Sequence, residues 1–208
     1  MSLDLWLTFA AASTALLLIP GPTVLLVLSY ALSKGRSVAL ASAAGVALGD
    51  LIAMTASLAG LAALVLASAT AFTVLKWVGA VYLVWLGMKL IRSAGGSVLE
   101  LSKATDVTAR SVFGHAAAVT ALNPKSIAFF IAFVPQFIDP AAVFVPQASI
   151  LVATFVSLAA FNALVYALAA DRLSHWVARP SVIPWISRAG GATLIGMGVL
   201  TATLKRSA

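Results

Sequence analysis

Apolar residues run through this chain in long blocks, interrupted by short clusters of glycine, proline and charge. A helix needs about 20 apolar residues to cross roughly 30 Å of hydrocarbon. Six blocks meet that length, at 5–33, 38–66, 71–92, 112–138, 143–170 and 186–204. The pattern predicts an all-α integral membrane protein with six transmembrane helices in a single domain spanning 1–208. The longest polar stretch, about 93–111, reads as a cytoplasmic loop, too short for a soluble domain. The chain opens Met1-Ser2-Leu3-Asp4, without the positive region of a secretory signal, so no cleaved leader is expected.

Composition sharpens this. Of 208 residues, 62% are hydrophobic and 9% charged, whereas a soluble domain needs about a quarter charged. A water-soluble fold is excluded. With no cysteine, disulfides, zinc-thiolate sites and iron–sulfur clusters are excluded too. His115 and His175 are too few for a histidine-rich metal transporter, and no metal or cofactor is expected. The net charge of +7 would suggest nucleic acid in a soluble protein. Here the cations serve orientation instead. Lys34, Arg36, Lys89, Arg92, Lys103, Arg110, Arg172, Arg179 and Arg188 fall on one side, against Lys76, Lys205 and Arg206 on the side of the termini. The positive-inside rule places the basic loops in the cytoplasm and both termini outside.

The two halves of the chain echo each other. Phe9 and Phe113 each precede a proline by eleven residues, Pro20 and Pro124, an offset of 104. Gly79 and Gly87 in the first half match Gly190 and Gly198 in the second at an offset of 111. Three spans per half make the second half inverted. The expectation is a 3+3 inverted repeat over about 1–92 and 112–208, an architecture of transporters whose site lies at the repeat interface near the midplane. Chance spacing of glycine and proline in an Ala/Leu-rich chain is the plain alternative.

Chemistry gathers where the spans break. Pro20-Gly21-Pro22 sits halfway along span 1 and Asn123-Pro124-Lys125 halfway along span 4. Proline removes a backbone donor and glycine loosens the chain, so both spans are expected to be broken around a cavity, where freed backbone groups find partners. Asn is a strong N-cap and Pro suits the first helical position. Two half-helix N-termini would then approach the midplane from opposite sides, and their N–H groups suit a carboxylate. Lys125 adds a full charge, about 22 Å beyond Arg110 along a helix. The competing reading is two packing kinks with a snorkelling lysine.

Asp50 is the sole carboxylate well inside a span, and an intramembrane acid is a functional hypothesis by default. It would hold an ammonium group, carry a proton, or both in turn; its structural alternative is an ion pair with Lys125. Asn162 in span 5 is a further candidate for the cavity, or for an interhelical hydrogen bond. Gly45 and Gly49 are expected to allow close helix contact. Gln136 suits an entrance, His115 is a lesser candidate for a proton relay, and Trp77, Trp85, Trp176 and Trp185 read as interfacial or packing aromatics. Nothing resembles a nucleophile–base pair or a phosphate-cradling loop, so catalysis is not expected.

These motifs together resemble the bacterial LysE/RhtB amino-acid exporters over essentially the whole chain. The likeness rests on Pro20-Gly21-Pro22, Gly45 through Asp50, Gly79 to Leu86-Gly87-Met88-Lys89, and Asn123-Pro124-Lys125 followed by Phe129-Phe130 and Gln136-Phe137. The resemblance implies a multi-pass exporter of the bacterial inner membrane, driven by the proton gradient, with an amino acid or close derivative as its small-molecule substrate. A zwitterion needs an anion site and a cation site in one cavity. The residues Pro20, Gly21, Pro22, Asn123, Pro124 and Lys125 would supply the first, Asp50 the second, with Asn162 beside them. With no second acid, a neutral substrate such as threonine, homoserine or leucine is expected over lysine or arginine. A carrier of cationic amino acids or of an inorganic cation, and a non-transporting membrane subunit, are the alternatives. Small-residue faces also leave room for a homodimer.

Overall fold

Every predicted apolar block is helical, and helices stop where the chain loses a donor or gains a cap. The computed structural model describes residues 1–19, 21–34, 36–93, 108–139, 141–170 and 182–203. Pro20, most of the expected loop at 93–111, and Lys103, Arg172, His175, Trp176, Arg179, Lys205 and Arg206 lie outside them.

Helix α1 (Leu3–Leu18) starts at Ser2, whose hydroxyl accepts from the Leu5 N–H, with Asp4 complementing the positive end in the first turn. It stops ahead of the two prolines, and α2 (Pro22–Lys34) begins on the second of them. Two unbroken helices follow, α3 (Arg36–Ala67) and α4 (Ala69–Ser93). Thr108 caps α5 (Ala109–Ala121) through the Ser111 N–H. Asn123 and Pro124 then start α6 (Pro124–Ala132), which tightens into a 3-10 turn at Val134–Phe137 around Pro135. Helices α7 (Phe144–Leu168) and α8 (Val182–Thr203) complete the described chain.

The axis bends by 58° between α1 and α2, and by 45° between α5 and the α6 segment. Within α3, α4 and α7, the stretches Val38–Leu64, Thr73–Ser93 and Phe144–Leu168 are long and apolar enough to cross a membrane, and each bent pair reaches that standard as a unit, making up to five among the described residues. Helix α8 stands where the sixth span was expected. Arg188 and four glycines keep it just below the same apolarity.

Between helices in lipid there is little water to expel, so close approach of small residues does much of the packing. Helix α3 meets α5 at Gly45 and Gly49. A Cβ on Gly49 would stand 2.6 Å from the Ala117 carbonyl oxygen, and one on Gly45 would overlap the Phe113 carbonyl. Helices α4 and α8 meet at Gly87, against Gly191 and Ile195, and at Gly198, against Ala80 and Val84. Beside these seams an aromatic pile ties α6 and its 3-10 turn to α1 and α7. Phe129 stacks on Phe133 at 5.3 Å, Phe130 meets Phe155 edge-on at 4.8 Å, and Phe9 meets Phe137 at 5.3 Å.

Candidate functional site

The end of α1 sets the site. The last carbonyls of any helix lack the N–H four residues on. For Leu16 that donor would be residue 20 and for Leu18 residue 22, and both are prolines with no N–H to give. In an apolar interior such acceptors need other partners; the Ile19 N–H reaches back to Leu16 O at 3.3 Å, and side chains from two other helices provide the rest. The Lys125 ammonium donates to Leu16 O at 3.1 Å and Ile19 O at 2.9 Å. Asn162 Nδ2 donates to Leu17 O at 3.2 Å, and the Tyr166 hydroxyl to Leu18 O at 3.4 Å. Four consecutive carbonyls are thus held by α6 and α7. The break before α6 has one proline and largely satisfies itself: the Leu122 N–H returns to Ala118 O and the Asn123 N–H to Thr120 O.

Asn123 does the work expected of an N-cap and more. Its Oδ1 accepts from the Lys125 N–H at 3.1 Å, while Nδ2 donates to the Thr23 hydroxyl at 3.2 Å. The Thr120 hydroxyl also donates to Thr23, at 3.4 Å. Thr23 lies in the first turn of α2, so the two breaks are hydrogen-bonded to each other. Gly21 lies against the lysine: a Cβ there would be 3.5 Å from Lys125 Nζ, in ordinary contact.

These groups enclose a cavity of about 30 Å³. That is room for a water molecule or two, far below the roughly 300 Å³ of a small-molecule pocket. Gly21, Asp50, Asn123, Lys125 and Asn162 all line it. Pro22 and Pro124 are exposed at the starts of α2 and α6, shaping the breaks without facing the cavity. Thr23, Ser126 and Tyr166 face it as well, and the sequence reading passed over them. Tyr166 had a signal, since it follows Asn162 by one helical turn on the same face of α7.

Asp50 is 2% exposed, and its Oδ1 is buried without a hydrogen-bond partner. Among the described residues no ion pair joins it to Lys125, although both face the same cavity; the lysine is engaged with α1 instead. A buried carboxyl oxygen without a donor is a place for a proton or a cation.

The remaining candidates lie elsewhere. His115 Nδ1 pairs with the Tyr30 hydroxyl at 2.7 Å, holding α5 to α2, and does not line the cavity. Gln136 Nε2 donates to Ala132 O, with its Oε1 buried and unpartnered. Trp77, Trp85 and Trp185 are exposed on the apolar surface, where Lys89 sits 5.2 Å above the Trp85 ring. Among the described residues no group of acidic, histidine or cysteine side chains is placed to hold a metal.

The chain has relatives among known proteins. The model of the LysE type translocator family matches residues 14–205. The chain is 33% identical to a homoserine/homoserine lactone efflux protein of Salmonella typhimurium over 207 residues, all of both chains. It is 31% identical to an uncharacterized membrane protein of Vibrio cholerae, over 99% of this chain and 100% of that one. It is 27% identical to a leucine efflux protein of Salmonella typhimurium, over 98% and 96%. No solved structure gives a significant match. With its helices long and apolar enough for several membrane crossings, this multi-pass membrane protein belongs to the LysE type translocator family.

Proposed function

We propose that the protein exports a neutral amino acid, or a close derivative, across the bacterial inner membrane in exchange for protons. The observation that carries this reading is one small cavity, between two helix breaks, lined by an ammonium group and by a carboxyl group whose Oδ1 is buried without a hydrogen-bond partner. A zwitterion needs both signs within a few ångströms, and water alone would justify neither. Relatives named for homoserine and leucine efflux support the class and favour a neutral side chain. In this reading the substrate carboxylate meets the N-terminal ends of α2 and α6 beside Gly21, Asn123 and Lys125. Asp50 takes the incoming proton. Because the cavity is too small for an amino acid, the conformation is closed, and each turnover opens it to one side and then the other.

Six spans arranged as a 3+3 inverted repeat supply that motion. Reciprocal contacts support the repeat. Gly87 touches Gly191 and Ile195, while Gly198 touches Ala80 and Val84. Positions 87 and 198, 80 and 191, and 84 and 195 are each 111 apart, so the α4–α8 seam is made of equivalent contacts, as a two-fold axis requires. Positions 21 and 125, which touch at the other seam, are 104 apart, like Pro20 and Pro124.

The test is counterflow and efflux in proteoliposomes with labelled homoserine, threonine, leucine and lysine, with and without an imposed pH gradient. Gradient-stimulated movement of a neutral amino acid, lost in Asp50→Asn, is the expected result. Movement of lysine alone would overturn the neutral preference. No movement of any of them by folded protein would overturn the amino-acid assignment.

A further inference from the structure

We infer that the end of α1 is a binding site for a primary ammonium group, which Lys125 fills in this closed conformation and which the substrate's own ammonium takes over during transport. The inference rests on the amino-acid reading above and says where in the cavity the substrate's positive end goes.

The site is made of backbone. Leu16 O and Ile19 O lie 3.1 Å and 2.9 Å from Lys125 Nζ, both at the negative end of α1. Asn162 and Tyr166 take the intervening carbonyls of Leu17 and Leu18. That sharing matters: it fixes the fan of carbonyls while leaving to a cation Ile19 O and the second lone pair of Leu16 O, whose first is taken by the Ile19 N–H at 3.3 Å. Gly21 closes the cradle on a side where its missing Cβ would be 3.5 Å from the nitrogen. An ammonium with two hydrogens on these carbonyls keeps a third for the cavity that Lys125 lines. Nothing in the cradle is peculiar to lysine. Carbonyl acceptors at a helix C-terminus recognise any compact N–H cation and repel a carboxylate.

Asp50 makes the exchange balanced. Its Oδ1 is buried in the same cavity with no partner. When a substrate ammonium enters the cradle, the displaced Lys125 finds two acceptors, Asp50 and the substrate carboxylate. One cation replaces another on α1, and the carboxyl oxygen that had no donor gains one. The lysine would thus be a tethered stand-in for substrate, holding α1 to α6 whenever the cavity is empty. Release of that hold by the zwitterion couples binding to movement of the two breaks.

The experiment uses the purified full-length protein and the variant Lys125→Ala, whose lost side chain leaves space for a small ligand. Thermal unfolding is followed in ethylammonium chloride and in tetramethylammonium chloride at equal concentration; the second carries the charge but no N–H. Ethylammonium is expected to raise the unfolding temperature of Lys125→Ala by several degrees, with no matching rise in the parent and none from tetramethylammonium. Equal responses to the two salts, or equal responses of parent and variant, would overturn the proposal. Should Lys125→Ala fail to fold in plain buffer, the comparison moves to extraction. Recovery of folded variant with ethylammonium but not tetramethylammonium supports the site, and recovery with neither overturns it. The readout is independent of transport. Rescue without amino-acid export would sink the substrate assignment and keep the cradle, whereas export without rescue would sink the cradle alone.

Discussion

Lys125 and Ile19 stand 106 residues apart in sequence and 2.9 Å apart in space, the ammonium of one on the carbonyl oxygen of the other. This contact belongs to a set in which three side chains, together with the Ile19 N–H on Leu16 O, satisfy a helix end that two prolines leave short of donors. The strengths of the members follow from their chemistry. Lys125 makes two charge-assisted bonds, Asn162 one neutral bond at 3.2 Å, and Tyr166 one at 3.4 Å. Substitution should therefore lower thermal stability in the order Lys125→Met, Asn162→Ala, Tyr166→Phe. The expected losses are about 2, about 1 and under about 0.5 kcal/mol. Unfolding of the three purified variants in one detergent checks the ranking; an equal or reversed order would contradict it.

Asp50 predicts the opposite split between stability and activity. Its Oδ1 has no hydrogen bond to lose, so Asp50→Asn should unfold at or above the parent's temperature. The same variant neither holds a proton on demand nor pairs with a cation, and should lose most of its export. Parallel melting curves and efflux assays decide this. A variant that is strongly destabilised would show that Asp50 has a structural partner after all.

At Asn123 two substitutions separate the cap from the cavity. Asn123→Ala removes the acceptor for the Lys125 N–H and the link to Thr23, and should cost about 1 kcal/mol. Asn123→Asp keeps the cap, so its loss should be smaller. It also places a second carboxylate beside the position proposed for the substrate's own, and so should weaken uptake of a zwitterion into the cavity. The check is the apparent affinity in counterflow alongside the melting temperature.

The glycines of α3 supply an internal control. Gly49→Ala puts a methyl group 2.6 Å from the Ala117 carbonyl oxygen and 2.7 Å from the Thr120 Cβ, and should destabilise by about 1–3 kcal/mol. Gly60→Ala on the same helix meets nothing within 4 Å and should be neutral or stabilising by up to about 1 kcal/mol. If the two variants melt alike, the close α3–α5 approach is wrong.

Much of this architecture was legible in the sequence because punctuation inside an apolar run is unambiguous. The block 38–66 is helix Arg36–Ala67, which ends at Ser68, and 143–170 is Phe144–Leu168, which lies between Pro140 and Asp171 in the sequence. Asn123-Pro124 announced a helix start by local rules alone. The partner of Lys125 was not legible. Depth and charge pointed to a carboxylate, and the nearest acid inside a span was Asp50. The winning acceptors are backbone carbonyls, which every residue carries and no sequence marks. Their need for a donor could have been read from Pro20 and Pro22, each standing four residues past a carbonyl it cannot serve. Gln147 was missed for a similar reason. Its side chain accepts from the Asp139 N–H and donates to carbonyls of Asp139, Ala142 and Val143, fastening the loop before α7 through backbone groups.

The size of the cavity carries a consequence for the cell. A carrier in an energised membrane idles for most of its life, and during that time any continuous thread of water through it would short-circuit the potential that drives every other process. At about 30 Å³ the cavity has room for a water molecule or two, with Lys125 on its wall tied to α1. A member of this family resting in this form therefore offers no wide aqueous path at the site, and can stand ready in the membrane before its substrate accumulates.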